Sequence, residues 1–188
     1  MFTAKDVMAL REMSGAGMMD CKKALVECDG DMDKAMDYLR EKSLAASAKK
    51  ASRIAAEGVV SSYVSPDSKT GVIAEVNCET DFVAKTDDFK ALVDTVAKLV
   101  AEQDPQDVDA LMALDTGDGT VAEMITRAVA KIGEKITIRR FARSHVEGGM
   151  VDCYVHLGGK IGVLVEIACE DVAAAKPCLL YTSPSPRD

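Results

Sequence analysis

Cys153-Tyr154-Val155-His156 sets a thiol and an imidazole three positions apart, a spacing that could serve zinc. A closed structural zinc site takes four such ligands, and His145 is the only other histidine, so the pair is incomplete. Gly158-Gly159-Lys160-Ile161 approaches a phosphate loop, which needs Gly-x-x-x-x-Gly-Lys-Ser/Thr. Tyr154 stands where the first Gly belongs and Ile161 where the hydroxyl belongs. Gly15-Ala16-Gly17 runs on to Asp20 rather than to the third Gly of a dinucleotide loop, and no strand precedes it. Cys78 has no base close to it in sequence, so nucleophilic catalysis lacks its partner. What remains is contact chemistry. Asp81-Phe82 falls just past a strand end and before a capped helix. An aromatic there either stands near the surface or closes the hairpin on its helix as a core residue. Met18 and Met19 are adjacent, about 100° apart on a helix, so both cannot face one small core. One is expected at the surface, as a soft and adaptable contact.

The elements that carry these residues are readable from periodicity. Thr3-Ala4-Lys5-Asp6 approximates a capping box, followed by Val7, Leu10 and Met13 at helical spacing. Ser14-Gly15-Ala16-Gly17 breaks that helix. A second helix carries Met18, Cys21, Ala24, Leu25 and Cys28 on one side. Asp31 caps a third, with Met32, Ala35, Met36 and Leu39 inward. Residues 1–43 are thus expected to form a three-helix module, and 44–57 a helical connector.

Residues 58–85 align without gaps to 149–176, an offset of 91, with 12 of 28 positions identical. Among the pairs are Gly58/Gly149, Val60/Val151, Lys69/Lys160, Gly71/Gly162 and Cys78/Cys169. Each copy reads as a β-hairpin, so the rest of the chain is expected to hold two related halves, 58–144 and 145–177. In the first copy Asp87 or Asp88 can cap a helix that buries Phe89, Leu92, Val93, Val96, Leu99 and Val100 and ends at Asp104-Pro105. Thr120-Val121-Ala122-Glu123 is a further capping box, opening a helix with Met124, Ile125, Ala128, Val129 and Ile132 inward. Ile136-Thr137-Ile138 then alternates as a strand into Arg139 and Arg140. Among the positions that differ is the segment after the second strand: the first copy has Thr80-Asp81-Phe82-Val83, the second Asp171-Val172-Ala173-Ala174. The fold class is α+β.

The 188 residues carry 23 Lys+Arg against 31 Asp+Glu, a net charge of -8. Residues 1–57 hold ten of each sign, which leaves all of the negative excess beyond them. An acidic chain is a poor match to phosphate backbones, so direct nucleic-acid binding is not expected. No apolar run approaches the roughly 18 residues of a membrane span, and the start lacks a secretory layout. Six cysteines without a Cys-x-x-Cys pattern read as reduced thiols of a cytoplasmic protein. Residues 178–188, Cys-Leu-Leu-Tyr-Thr-Ser-Pro-Ser-Pro-Arg-Asp, resemble the translation of a sequencing adapter and are expected to be non-native.

Gly15 through Leu25 (Gly-Ala-Gly-Met-Met-Asp-Cys-Lys-Lys-Ala-Leu) and Glu75 through Lys85 (Glu-Val-Asn-Cys-Glu-Thr-Asp-Phe-Val-Ala-Lys) closely resemble the bacterial elongation factor Ts family. Ile132-Gly133-Glu134, Ile138-Arg139-Arg140 and His156 through Val165 extend the match over almost all of residues 3–167. The resemblance implies a guanine-nucleotide exchange factor for elongation factor Tu, with no covalent chemistry and no cofactor of its own. It implies a ubiquitin-associated-like N-terminal module. It places Met18, Met19, Ile132 and His156 at partner contacts, and Thr80, Asp81, Phe82 and Val83 in the motif that enters the partner and dislodges its magnesium. It also implies that the second half is cut short. The place of its covering helix is taken by the tail, so Val163, Val165 or their neighbours are expected to be exposed. Two other readings compete: a protein-binding adaptor working through the helical module, and a small-molecule enzyme using Cys78.

Overall fold

A computed structural model describes residues 2–170 and Ala175. In chain order the helices are α1 (Ala4–Ser14), α2 (Met18–Glu27), α3 (Met32–Lys50), α4 (Asp81–Ala84), α5 (Asp87–Gln103), α6 (Val108–Ala113) and α7 (Val121–Ile132). The strands are β1 (Glu57–Val64), β2 (Thr70–Cys78), β3 (Thr137–His145), β4 (Met150–His156) and β5 (Ile161–Ile167). This α+β chain divides into two compact units. One joins the residues up to Ile54 with Asp115–Ile136; the other joins Ala55–Leu114 with the chain from Thr137 onward.

In the helical unit, the Asp6 carboxylate accepts from the Thr3 N–H at 2.6 Å and the Thr3 hydroxyl at 2.9 Å, which fixes the start of α1. Gly15 ends α1 at φ 65°, where its N–H reaches the Arg11 carbonyl. Asp31 caps α3 by accepting from the Lys34 N–H at 3.1 Å. The small core is Val7, Leu10, Cys21, Ala24, Leu25, Ala35 and Leu39. Met18 does not join it: both methionines are exposed, and the residue that the first turn of α2 gives to the core is Cys21. Helix α3 runs on to Lys50, into the stretch expected to be a helical connector.

Helix α7 packs on α3 in this unit, although in sequence it falls within 58–144, the stretch expected to form the first half with its hairpin. The capping box at its start is formed: Glu123 accepts from the Thr120 N–H at 2.9 Å, and Thr120 accepts from the Glu123 N–H at 3.2 Å. The same Glu123 pairs with Arg40 of α3 at 2.6 Å, so one carboxylate caps α7 and ties it sideways. Val121, Ile125 and Val129 are buried, while Met124, Ala128 and Ile132 are half-buried.

The second unit has a three-stranded antiparallel sheet in the order β1-β2-β3 and a separate β4-β5 hairpin. Strand β3 runs well past the expected Ile138, to His145, along the whole of β2. Helix α5 lies across the β1-β2 face and buries Phe89, Val93, Val96, Ala97, Val100 and Ala101. Its cap is Thr86, which accepts from the Phe89 N–H at 3.3 Å; Asp87 and Asp88 occupy the first turn instead. The short helix α6 was not expected from the sequence; Asp107 caps it, accepting from the Ala110 N–H at 2.7 Å.

The two hairpins share one register. Val60 faces Glu75 in the first and Val151 faces Glu166 in the second, each pair displaced by 91. They also grip one another reciprocally. The Val60 N–H donates to the Gly159 carbonyl at 2.7 Å, and the Val151 N–H donates to the Ser68 carbonyl at 2.8 Å. Gly71 lies against the Val151 side chain, and Gly162 lies against the Val60 side chain, too close in either case for a Cβ. Residue i of one copy meets j of the other, and j meets i, which is the signature of an approximate two-fold axis. Covering differs between the copies. Met150 and Val151 are buried, but Val163, Leu164 and Val165 are only half-buried and Ile161 is exposed.

Candidate functional site

The segment from Thr80 to Val83 leaves the end of β2 as a single helical turn, α4. Thr80 accepts from the Val83 N–H at 3.4 Å, and Thr86 closes the turn by donating its hydroxyl to the Val83 carbonyl at 2.8 Å. Beneath it, the buried Cys78 thiol donates to the Thr80 carbonyl at 3.2 Å. Ala84 faces the core. Phe82 faces away from it and is 79% exposed, while Phe89, seven residues on, is fully buried. The core place for an aromatic is therefore taken by Phe89, and Phe82 is held out on a turn fixed at both ends. Asp81 pairs with Lys85 at 2.6 Å, and this hydrogen bond holds its carboxyl below the ordinary carboxylate range.

The β4-β5 turn lies at the same end of the unit. Its Gly159 carbonyl binds β1, and Lys160 pairs with Glu57 at the start of β1. That ion pair raises the Lys160 pKa, and Asp81 adds to the effect, so the turn and α4 share one electrostatic neighbourhood. His156 is half-buried at the base of the turn. Its Nδ1 lies 2.9 Å from the Tyr154 hydroxyl, with the two rings stacked at a centroid distance of 5.7 Å. Thr80, Asp81, Phe82, Val83 and His156 are thus brought to one end of one unit.

Met18, Met19 and Ile132 belong to the helical unit. Met18 is 43% exposed and Met19 65%. The residues before α2 and the last turns of α7 line one small cleft of about 100 Å³, which includes Gly17, Asp20, Ala130 and Lys131. Ile132 follows directly and is half-buried.

The sequence reading missed the residues that steady this end. Lys85 stands four positions after Asp81, a helical pairing distance that was there to be seen. Tyr154 and Lys160 could not be assigned in the same way, since their partners come from alternation along a strand and from the other hairpin.

The residues that suggested bond chemistry are otherwise engaged. Cys153 donates to the Val72 carbonyl at 3.6 Å, and burial pushes its pKa up to about 11. Among the described residues no group of three or more His, Cys, Asp or Glu is placed to hold a metal ion, and no helix is long and apolar enough to cross a membrane.

A family model described as Elongation factor TS matches residues 79–181. Relatives named Elongation factor Ts include one of Clostridium perfringens, 56% identical over 181 residues, covering 95% of this chain and 58% of the relative. One of Clostridium tetani is 53% identical over 173 residues, covering 90% of this chain and 57% of the relative. One of Clostridium acetobutylicum is 46% identical over 197 residues, covering 96% and 64%. The chain therefore spans a little under three fifths of the length of the first two relatives.

Proposed function

Because the chain belongs to the elongation factor Ts family, and is thereby a translation elongation factor in kind, we propose that it promotes GDP release from elongation factor Tu in the cytoplasm. The observation that carries this reading is the presentation of Phe82: a bulky aromatic, 79% exposed, on a turn capped by Thr80 and Thr86. The backbone that carries the ring is already fixed, so insertion costs the ring's own rotamer freedom and little ordering of the chain. Full burial of a Phe side chain supplies about 1.5–3 kcal/mol.

The mechanism couples two binding equilibria. Phe82 enters the partner's nucleotide-binding domain next to the magnesium and phosphate site, and Asp81 and Val83 bracket it. The partner conformation that admits the ring holds magnesium poorly. Loss of the ion leaves the diphosphate charge less compensated, and GDP departs. Coupling of about 1–3 kcal/mol changes affinity roughly 5–150-fold, and it is reciprocal: nucleotide rebinding expels the factor. No bond is made or broken. Met18, Met19, Ile132 and His156 supply further contacts that hold the factor on the partner without entering the site.

An adaptor working through the helical module is the second reading, favoured by the exposure of both Met18 and Met19. Stopped-flow release of fluorescent GDP from elongation factor Tu separates the two. With the chain present, release is expected to accelerate, and Phe82→Ala is expected to remove most of the acceleration. Equal release by both forms rejects the wedge and leaves the adaptor.

A further inference from the structure

We propose that Leu157, at the tip of the β4-β5 turn, is a second apolar contact for the partner that Phe82 engages. The inference rests on the exchange reading above and extends it to a residue, next to His156, to which the resemblance gives no role. Three successive residues of the turn, Leu157, Gly158 and Gly159, have φ of 50°, 64° and 97°. The His156 carbonyl accepts from the N–H groups of both Gly159 (3.2 Å) and Lys160 (3.1 Å), so the left-handed path is fixed by hydrogen bonds. Glycine takes such a conformation freely, whereas for a bulky L-residue the Cβ crowds the following carbonyl.

Leu157 gains little within the chain to offset that crowding, since it is 67% exposed. The hairpin scaffold does not demand it either. The matching position of the first copy is Pro66, whose ring holds φ near –65°. A leucine that is both conformationally costly and unburied makes physical sense if another surface buries it.

That surface is the one met by Phe82. The Gly159 carbonyl is bound by the Val60 N–H, and Lys160 is paired with Glu57, whose strand partner Cys78 lies just before α4. Tyr154 and Ile161, each 36% exposed, flank the tip. The occupant is accordingly an apolar patch of elongation factor Tu continuous with the surface Phe82 enters.

The test sets stability against binding. Leu157→Gly is expected to raise the thermal midpoint by about 2–6 °C, because the crowding is relieved. The same change is expected to weaken binding to GDP-loaded elongation factor Tu about tenfold. Leu157→Asn, which tolerates the left-handed backbone without an apolar side chain, is expected to weaken binding alike. A raised midpoint with unchanged affinity in both variants overturns the inference. Phe82→Ala, measured in parallel, keeps the two claims apart. If it too is neutral, the exchange reading fails; if it alone is impaired, only the role of Leu157 fails.

Discussion

The β1-β2 and β4-β5 hairpins have the same register and the same reciprocal bonds, yet they differ in what covers them and in what their ends display. What the copies keep is backbone. The bonds from Val60 to Gly159 and from Val151 to Ser68 join carbonyls of residues that both have positive φ, Ser68 at 57° and Gly159 at 97°. What the copies change is side chain. The first ends in Thr80-Asp81-Phe82-Val83 and is covered by α5; the second has Tyr154, His156 and Leu157 around its turn and half-buried valines on β5. Duplication has supplied a frame in which ladder geometry is constrained twice over, and the tips are free to diverge in the side chains they display.

The sharpest way to break this comparison is at Gly58 and Gly149. A Cβ on Gly58 would collide with the Val76 carbonyl, and one on Gly149 with the matching Ile167 carbonyl. Backbone atoms cannot swing aside as a side chain tip can. Gly58→Ala and Gly149→Ala are each expected to cost on the order of 3 kcal/mol or more in urea denaturation. Amide exchange is expected to show the damage from Gly149→Ala concentrated in 150–167, where the hairpin has less covering to fall back on. Equal loss of protection in both hairpins from either change would mean that they open only together.

A gentler test addresses the two-fold axis itself. Gly71→Ala presses on Val151, and Gly162→Ala presses on Val60, in each case on the end of a side chain. Overpacking of this kind costs about 1–3 kcal/mol. The pairing predicts crossed rescue: Val151→Ala relieves Gly71→Ala, and Val60→Ala relieves Gly162→Ala, with coupling energies of similar size in two double-mutant cycles. Rescue in one cycle alone would show that the symmetry is a matter of topology and not of packing.

Much of this frame was legible in the sequence because caps and repeats are local or self-referential signals. The Thr120–Glu123 box and the Asp31 cap depend on residues three apart, and the offset of 91 required only the chain compared with itself. Other features needed tertiary information. Thr86, Asp87 and Asp88 can all cap a helix, and local chemistry does not choose between them; the choice falls to Thr86, whose hydroxyl also reaches back to α4. Strand β3 extends beyond the part that alternation shows, because Arg139, Arg140 and Ala142 are exposed and hide its period. Helix α7 adjoins β3 in sequence, but Arg40, some eighty residues earlier, tethers it to α3. Of the candidate site, the position of Phe82 was readable and its direction was not. Two phenylalanines seven residues apart, Phe82 and Phe89, compete for one core place, and packing alone decides between them.

The smallest expected effect lies where the copies diverge most. Lys85 recurs as Lys176, but Asp81 is replaced by Val172, so the Asp81–Lys85 pair belongs to the first copy alone. The carboxyl of Asp81 sits below its ordinary value of 3.8, first because Lys85 donates to it. A carboxyl lowered in the folded state binds fewer protons there than in the unfolded chain, so its contribution to stability is present above 3.8 and is lost as the pH falls through the lowered value. In an NMR titration the Asp81 carboxyl is expected to have its midpoint below 3.8, and the Phe82 and Val83 amides are expected to move with the same midpoint. Lys85→Ala should return that midpoint towards 3.8 while leaving the Thr80 cap in place. Should the midpoint stay low without Lys85, the turn's own backbone N–H groups hold the carboxylate, and the display of Phe82 is a property of α4 by itself.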